Sequence, residues 1–96
     1  MVIGILQVEL YIGDAVSLKD KRRVVSSLKD RLHREHLVAV AEVDKLDKHQ
    51  TAVIGIVAVS NQTPHVQGML SRIVDQLRAN GRFVLTDHAM EILSGH

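Results

Sequence analysis

The chain has 96 residues with no cysteine and no tryptophan, and it has only one tyrosine, one phenylalanine and one proline. The absence of cysteine excludes disulfides, thiolate metal sites and a thiol nucleophile. Because aromatic rings are so few, we do not expect single-stranded nucleic acid to be recognised by stacking. No apolar run approaches the roughly 18–20 residues of a membrane span, and residues 1–6 lack the basic start of a signal peptide. We therefore expect a cytoplasmic protein with no membrane partner.

The formal net charge is only +1, but the charges are unevenly distributed along the chain. Residues 17–36 contain seven basic and three acidic residues, a net charge of +4. The rest of the chain contains five basic and eight acidic residues, a net charge of −3. A basic segment of this kind is typical of surfaces that bind phosphates or acidic partners. It is equally typical of a solvated helix face, and both interpretations stay open.

Hydrophobic periodicity predicts four strands and two helices. The strands are predicted over residues 2–12, 37–43, 51–60 and 82–93, and the helices over residues 17–35 and 63–80. The order β-α-β-β-α-β predicts a ferredoxin-like split β-α-β fold of the α+β class. We expect a single domain over residues 1–96, with a four-stranded antiparallel sheet and two helices on one face.

The two predicted helices begin with different capping patterns. Ser17 is followed three residues later by Asp20, which is a capping-box arrangement. Thr63 is expected to cap the second helix, because Pro64 then occupies the first helical position.

The strand over residues 51–60 is apolar on both faces. Ile54, Ile56 and Ala58 lie on one side, and Val53, Val57 and Val59 lie on the other. Since both helices are expected on one sheet face, an apolar second face indicates that something covers it. We expect a homodimer formed through this open sheet face, although scattered surface valines are also normal.

The start of the first helix carries an unusual concentration of cations. A helix N-terminus has a partial positive charge and favours acidic neighbours, so cations there oppose the dipole. Free backbone N–H groups and basic side chains together are suited to an anion or a phosphate. We therefore predict that this turn binds RNA phosphates or another anion. The candidate residues are Lys19, Lys21, Arg22 and Arg23.

Lys21 falls within the apolar stripe of the first helix rather than on its polar side. Its side chain is expected either to extend past the sheet edge or to pair with a carboxylate there. The candidate partners are Glu9, Glu42 and Asp44, because they lie on strands that could border the helix.

Motifs for metals, cofactors and catalysis were not found. His33 and His36 lie three residues apart, but a metal site usually needs three or four ligands. Ser60 and His65 flank the predicted start of the second helix, where turn formation explains them without a nucleophile. No glycine-rich phosphate loop or dinucleotide fingerprint is present. We expect no catalytic residue, no metal and no cofactor.

Three segments occur in order: Ser17-Leu18-Lys19-Asp20-Lys21-Arg22-Arg23, then Val40-Ala41-Glu42-Val43-Asp44, then Val59-Ser60-Asn61 followed by His65-Val66. In these segments the chain resembles the YlxP-like family of small bacterial proteins, a domain of unknown function (DUF503). The resemblance spans essentially the whole chain and implies a ferredoxin-like fold. Members lie commonly in operons with translation and ribosome maturation factors, which implies a role near RNA or the ribosome. The chain departs from the family after Asp44, where Lys45-Leu46-Asp47 replaces a frequent His-Gln-Asp.

The sequence favours a non-enzymatic protein that binds RNA or a ribonucleoprotein through the basic helix start, with no DNA partner predicted. The alternative is a homodimeric regulatory domain that binds a small anionic ligand at the same helix end. A third hypothesis is an enzyme whose site spans the dimer interface. Binding to RNA that weakens steeply with salt favours the first hypothesis, whereas stabilisation by a small phosphorylated ligand favours the second.

Overall fold

The strands and helices follow the predicted order along the chain. The computed structural model describes residues 1–95. Its elements are β1 (Val2–Tyr11), α1 (Leu18–Glu35), β2 (Ala39–Asp44), β3 (Thr51–Ser60), α2 (Thr63–Ala79) and β4 (Val84–Ser94). The α+β class and the β-α-β-β-α-β order are confirmed.

The four strands form one antiparallel sheet in the order β2-β3-β1-β4. This order and the two helices confirm the ferredoxin-like fold. β1 and β3 occupy the centre, and they pair continuously from Val2 opposite Ser60 to Tyr11 opposite Thr51. β2 and β4 are the edge strands. On the covered face of the sheet, α1 packs against β2 and β3, and α2 packs mainly against β1 and β4.

The core lies between the sheet and the two helices. The predicted alternation is confirmed, because Leu6, Val8 and Leu10 of β1 and Ile54 and Ile56 of β3 are fully buried. The helices contribute complementary apolar stripes. These are Val24, Val25, Leu28 and Leu32 from α1 and Val66, Leu70, Ile73, Val74 and Leu77 from α2. Within residues 1–95, neither helix is long and apolar enough to cross a membrane.

The N-cap of α1 is Ser17, as predicted, although the Asp20 carboxylate bonds to the N–H of Val16 rather than to that of Ser17. The start of α2 differs from the prediction. The backbone N–H of Asp20 donates to Ser17 Oγ at 3.1 Å, as the capping pattern requires. Thr63 was expected to cap α2, but it is the first helical residue, and the N-cap is Gln62, which makes no side-chain capping bond. Instead, Ser60 Oγ accepts from the N–H of Gln62 at 3.3 Å and closes the preceding turn. Proline in the first turn of α2 also removes one of the donors that a cap would satisfy.

Two strands begin two residues later than predicted, for identifiable reasons, and the other strand boundaries agree to within one residue. β2 begins at Ala39 rather than at residue 37, because pairing with β3 starts where Ala39 lies opposite Val57. β4 begins at Val84 rather than at residue 82, because the N–H of Arg82 donates to Asn80 Oδ1 at 2.8 Å in a turn. Residues that flank a strand can continue its alternating sequence pattern without pairing with the neighbouring strand, so the sequence predicts a strand that is too long.

Candidate functional site

Lys21 is the most deeply buried charged residue of the described chain, with a side chain only 1% exposed. Its Nζ lies 2.7 Å from Glu42 Oε2, so the predicted pairing with a carboxylate is present. Glu42 is the partner because it lies opposite the buried Ile54 in the β2–β3 register and thus points toward the helices. Its side chain is 17% exposed. The Lys21–Glu42 pair therefore joins α1 to β2 beneath the protein surface.

Three backbone carbonyl oxygens complete the surroundings of this ammonium group. Lys21 Nζ donates to the carbonyl oxygens of Lys45 at 3.0 Å, Leu46 at 3.3 Å and Thr51 at 3.2 Å. Together with Glu42 Oε2, four oxygen atoms lie within 3.3 Å of Nζ and share its three ammonium hydrogens. The result is that α1 holds the connection between β2 and β3 in place.

This burial removes Lys21 from the predicted anion-binding set. An external phosphate would have to displace four oxygen atoms of the protein, and no ammonium hydrogen is free for it. The other two candidate partners do not pair with Lys21: Glu9 pairs with Lys45, and Asp44 bonds within its own turn. Asp44 Oδ1 accepts from the backbone N–H of Lys45 at 2.7 Å and stabilises the turn in which Lys45 adopts a φ of 52°. Lys21 is a structural anchor, and Asp44 is a turn residue.

The other predicted cations lie on the solvent side of α1. Lys19, Arg22 and Arg23 are all exposed, and Arg34 is exposed further along the same side. These residues border a shallow open groove together with two serines and one aspartate. We call this surface the basic face of α1; it consists of Lys19, Arg22, Arg23, Ser26, Ser27, Asp30 and Arg34.

The cations of the basic face are not neutralised by ion pairs. Among residues 1–95, the ion pairs of α1 involve only Lys21 and Arg31, and Arg31 Nε lies 3.2 Å from Glu35 Oε1. Glu35 Oε2 also accepts from Gln76 Nε2 at 2.8 Å, which fixes its carboxylate at the end of the helix. The acidic residue closest to the helix start, Asp20, accepts from the N–H of Val16 at 3.0 Å. The groove thus combines four basic side chains with a single acidic one.

The N-terminal end of α1 is less suited to a small anion than its sequence indicates. A cleft of about 340 Å³ lies between this helix end and the α2–β4 connection. Arg23 and Arg82 line it, but so do Asp14 and Asp20. The Asp20 carboxylate already lies at the positive end of the helix dipole, where an anion would be stabilised. The exposed cations are therefore displayed along the helix rather than gathered at its end.

The basic face extends beyond the residues predicted from the sequence. The candidates covered the first turn and left out Arg34 at the other end of the face. Lys29 lies outside the basic face, half-buried in a second groove beside Arg22 and His33. Helical spacing was the available signal, because residues 19, 23, 26, 30 and 34 fall on one side of a 3.6-residue wheel. No group of three or more potential metal ligands occurs in the part of the chain that the structure describes.

The fold and this surface define a class of small α+β proteins: a ferredoxin-like domain with one exposed basic helix and an uncovered sheet face. Residues 3–90 match the family described as "Protein of unknown function (DUF503)". The chain belongs to this family. It is also similar to the uncharacterized protein YlxP of Bacillus subtilis (strain 168), with 33% identity over 72 residues that cover 75% of this chain and 78% of that protein.

Proposed function

We propose that this chain is a non-enzymatic RNA-binding protein that uses the basic face of α1 to contact phosphates of folded RNA. The observation that carries the proposal is the exposure of Lys19, Arg22, Arg23 and Arg34 on one side of α1, without ion-pair partners among residues 1–95. A polyanion supplies the negative charges that these cations lack within the protein. Its binding is favoured because the polyanion releases condensed counterions when it binds.

The length of the basic face favours a polymer over a small ligand. Arg34 lies fifteen positions after Lys19, and a rise of about 1.5 Å per residue gives a span of about 22 Å. A single phosphate contacts only one end of such a surface, whereas an RNA backbone presents phosphates along all of it. The cleft at the helix end contains Asp14 and Asp20, which disfavour an anion there. The binding of a small anion therefore has less support than RNA binding.

The chemistry of the basic face favours backbone contacts over base recognition. No aromatic side chain lies on this face, so bases have no stacking platform. Arginine offers a planar group with five donors that matches phosphate oxygens. The hydroxyl groups of Ser26 and Ser27 lie between the cations and suit contacts with 2′-hydroxyl groups, which distinguish RNA from DNA. The family resemblance implies the same environment, near RNA or the ribosome.

The test is a fluorescence polarisation titration with a labelled RNA hairpin at low salt. The variant Lys19→Gln/Arg22→Gln/Arg23→Gln removes three positive charges from the basic face. Its matched control, Lys48→Gln/Arg72→Gln/Arg78→Gln, removes three exposed charges from the β2–β3 connection and from α2. Circular dichroism shows whether both variants keep the fold.

We expect wild type and the control to bind RNA with similar affinity, and the basic-face variant to bind at least about tenfold more weakly, since each lost phosphate contact lowers the affinity. A DNA duplex of the same sequence should bind more weakly than the RNA. The proposal is wrong if wild type does not bind RNA at low salt. It is also wrong if the control loses as much affinity as the basic-face variant.

A further inference from the structure

The sheet face opposite the helices is apolar over one half, except for the exposed Glu91, which lies opposite Ile5 in the β1–β4 register. At this end, Ile3 lies between Val59 and Leu93, and Ile5 lies beside Val57. Val57 and Val59 remain 38% and 58% exposed. We call these five residues the apolar end of the open face. A contiguous apolar surface on a sheet whose other side is fully covered marks a contact surface rather than scattered exposure.

The other half of the open face is mixed: Val43 and Tyr11 are exposed there, and its charged side chains are Glu9, Lys45 and Asp87. Lys45 Nζ lies 2.7 Å from Glu9 Oε1, and Thr86 Oγ1 donates to Glu9 Oε2 at 3.2 Å. Asp87 lies directly opposite Glu9 in the β1–β4 register. Like charges opposite each other on neighbouring strands are destabilising. Within residues 1–95, Asp87 has no ion-pair partner that would offset its repulsion from Glu9.

The size of the open face matches what a stable dimer needs. With about 4.8 Å between strands and about 3.4 Å per residue, a sheet of three strands of ten or eleven residues and one of six has a flat footprint of about 600 Å². Side chains make the accessible surface larger than the footprint. A standard interface buries about 800 Å² on each partner, so the face is large enough if most of it is covered.

We propose that a second copy of this chain covers the open face, with the two-fold axis parallel to the strands. Homodimers with a two-fold axis use the same surface on both copies. An axis parallel to the strands places the apolar end against the apolar end of the partner. An axis across the strands would instead place the apolar end against Glu9, Lys45 and Asp87, which would bury charges against apolar side chains.

This axis makes specific pairings between the copies. It reverses the strand order of the partner, so that β3 lies over the partner's β1 and β2 lies over the partner's β4. Val57 then packs near the partner's Ile5. Lys45 follows β2 and is paired with Glu9 of its own copy. In the dimer the end of β2 lies over the partner's β4, so Lys45 also approaches the partner's Asp87, a carboxylate without an ion-pair partner among residues 1–95 of its own copy. Both basic faces of α1 point outward, because the helices lie on the other side of each sheet.

The first test measures molar mass by light scattering coupled to gel filtration. Wild type should have twice the 10.7 kDa of one chain. The variant Val57→Lys/Val59→Lys should have the mass of one chain at the same concentration, with an unchanged circular dichroism spectrum. Val16→Lys is the control, because Val16 is 81% exposed but lies in the β1–α1 connection. It should remain dimeric.

A second variant tests the axis and does not endanger the fold. Asp87→Lys places a cation opposite Glu9 within its own sheet, but it sets that cation against the partner's Lys45. We expect the dimer to dissociate at least about tenfold more readily, as like charges across an interface disfavour association. A monomeric wild type at high micromolar concentration overturns the proposal. So does a dimer that survives Val57→Lys/Val59→Lys, which would indicate pairing through the β4 edge, or a dimer unaffected by Asp87→Lys.

Discussion

Lys21 and Glu42 form a buried ion pair, with Nζ 2.7 Å from Oε2, between the first turns of α1 and the end of β2. The three carbonyl oxygens around the same ammonium group belong to the β2–β3 connection and to the start of β3. One side chain thus holds together three parts of the fold. The basic segment therefore has two roles. Lys21 stabilises the fold, whereas its neighbours Lys19, Arg22 and Arg23 are exposed to solvent.

We predict that Lys21→Met lowers the free energy of unfolding by about 3 kcal/mol, because a partly buried carboxylate and three carbonyl oxygens lose their cation. Urea denaturation followed by circular dichroism measures this change. Glu42→Gln is the matched comparison and should lose only about 1 kcal/mol, since the three carbonyl bonds to Lys21 remain. Equal losses in the two variants would contradict the central role of the carbonyl bonds.

Position 21 also shows how far the sequence predicts this site. The helical period placed Lys21 in the apolar stripe, and strand alternation restricts the partner to residues that face the helices, which favours Glu42 over Glu9. The carbonyl oxygens were out of reach of such reasoning. Their positions depend on the backbone of the β2–β3 connection, where Lys45 adopts a left-handed conformation. Glycine or asparagine usually occupies such a position, so a lysine there gives no signal in the sequence.

The fold was predictable because the two helices and the first strand each have one consistent amphipathic period, and residues 51–60 form an apolar run of strand length. The capping of α2 was not, because Ser60, Gln62 and Thr63 all have side chains that can bond to nearby backbone, and packing decides which one does. The basic face was predictable only in its first turn. The sequence identified the charges and placed Lys21 in the apolar stripe, but the continuation of the exposed face to Arg34 was recognised only in the structure.

We predict that Gly4→Ala destabilises the protein by about 1–3 kcal/mol, which is the usual effect of an added carbon in a packed core. A Cβ at this position would overlap Val66 Cγ1 and lie 2.8 Å from Leu70 Cδ1, and both side chains are fully buried in α2. The melting temperature measures the effect. Gly81→Ala is the control, because a Cβ there meets no atom within 4 Å. If the two substitutions have the same small effect, α2 does not pack against β1 as closely as described.

We predict a pH dependence at Glu9. The hydrogen bond from Lys45, followed by that from Thr86, holds the pKa of the Glu9 carboxyl below its ordinary value of 4.5. A lowered pKa in the folded state means that this carboxylate contributes stability above its unfolded pKa and loses it as the pH falls through the folded pKa. Wild type should therefore exceed Glu9→Gln in free energy of unfolding by the largest amount at neutral pH, and this difference should disappear in acid.

The side-chain carboxyl of Glu9 can be followed directly by NMR titration. Its midpoint should lie below 4.5 in wild type and move upward in Lys45→Met, because the largest cause of the lowered pKa is then removed. An unchanged midpoint in Lys45→Met would show that Lys45 does not bond to Glu9 in solution.

The salt dependence of RNA binding tests the central claim most directly. For each protein, the slope of log K against log salt concentration reports how many phosphates are neutralised, at about 0.7–0.9 per contact. We predict that Lys19→Gln/Arg22→Gln/Arg23→Gln reduces the magnitude of the wild-type slope by about 2, since three contacts are lost. The control Lys48→Gln/Arg72→Gln/Arg78→Gln should keep the wild-type slope. Identical slopes for wild type and the basic-face variant would contradict the account, because RNA would then bind elsewhere on the protein.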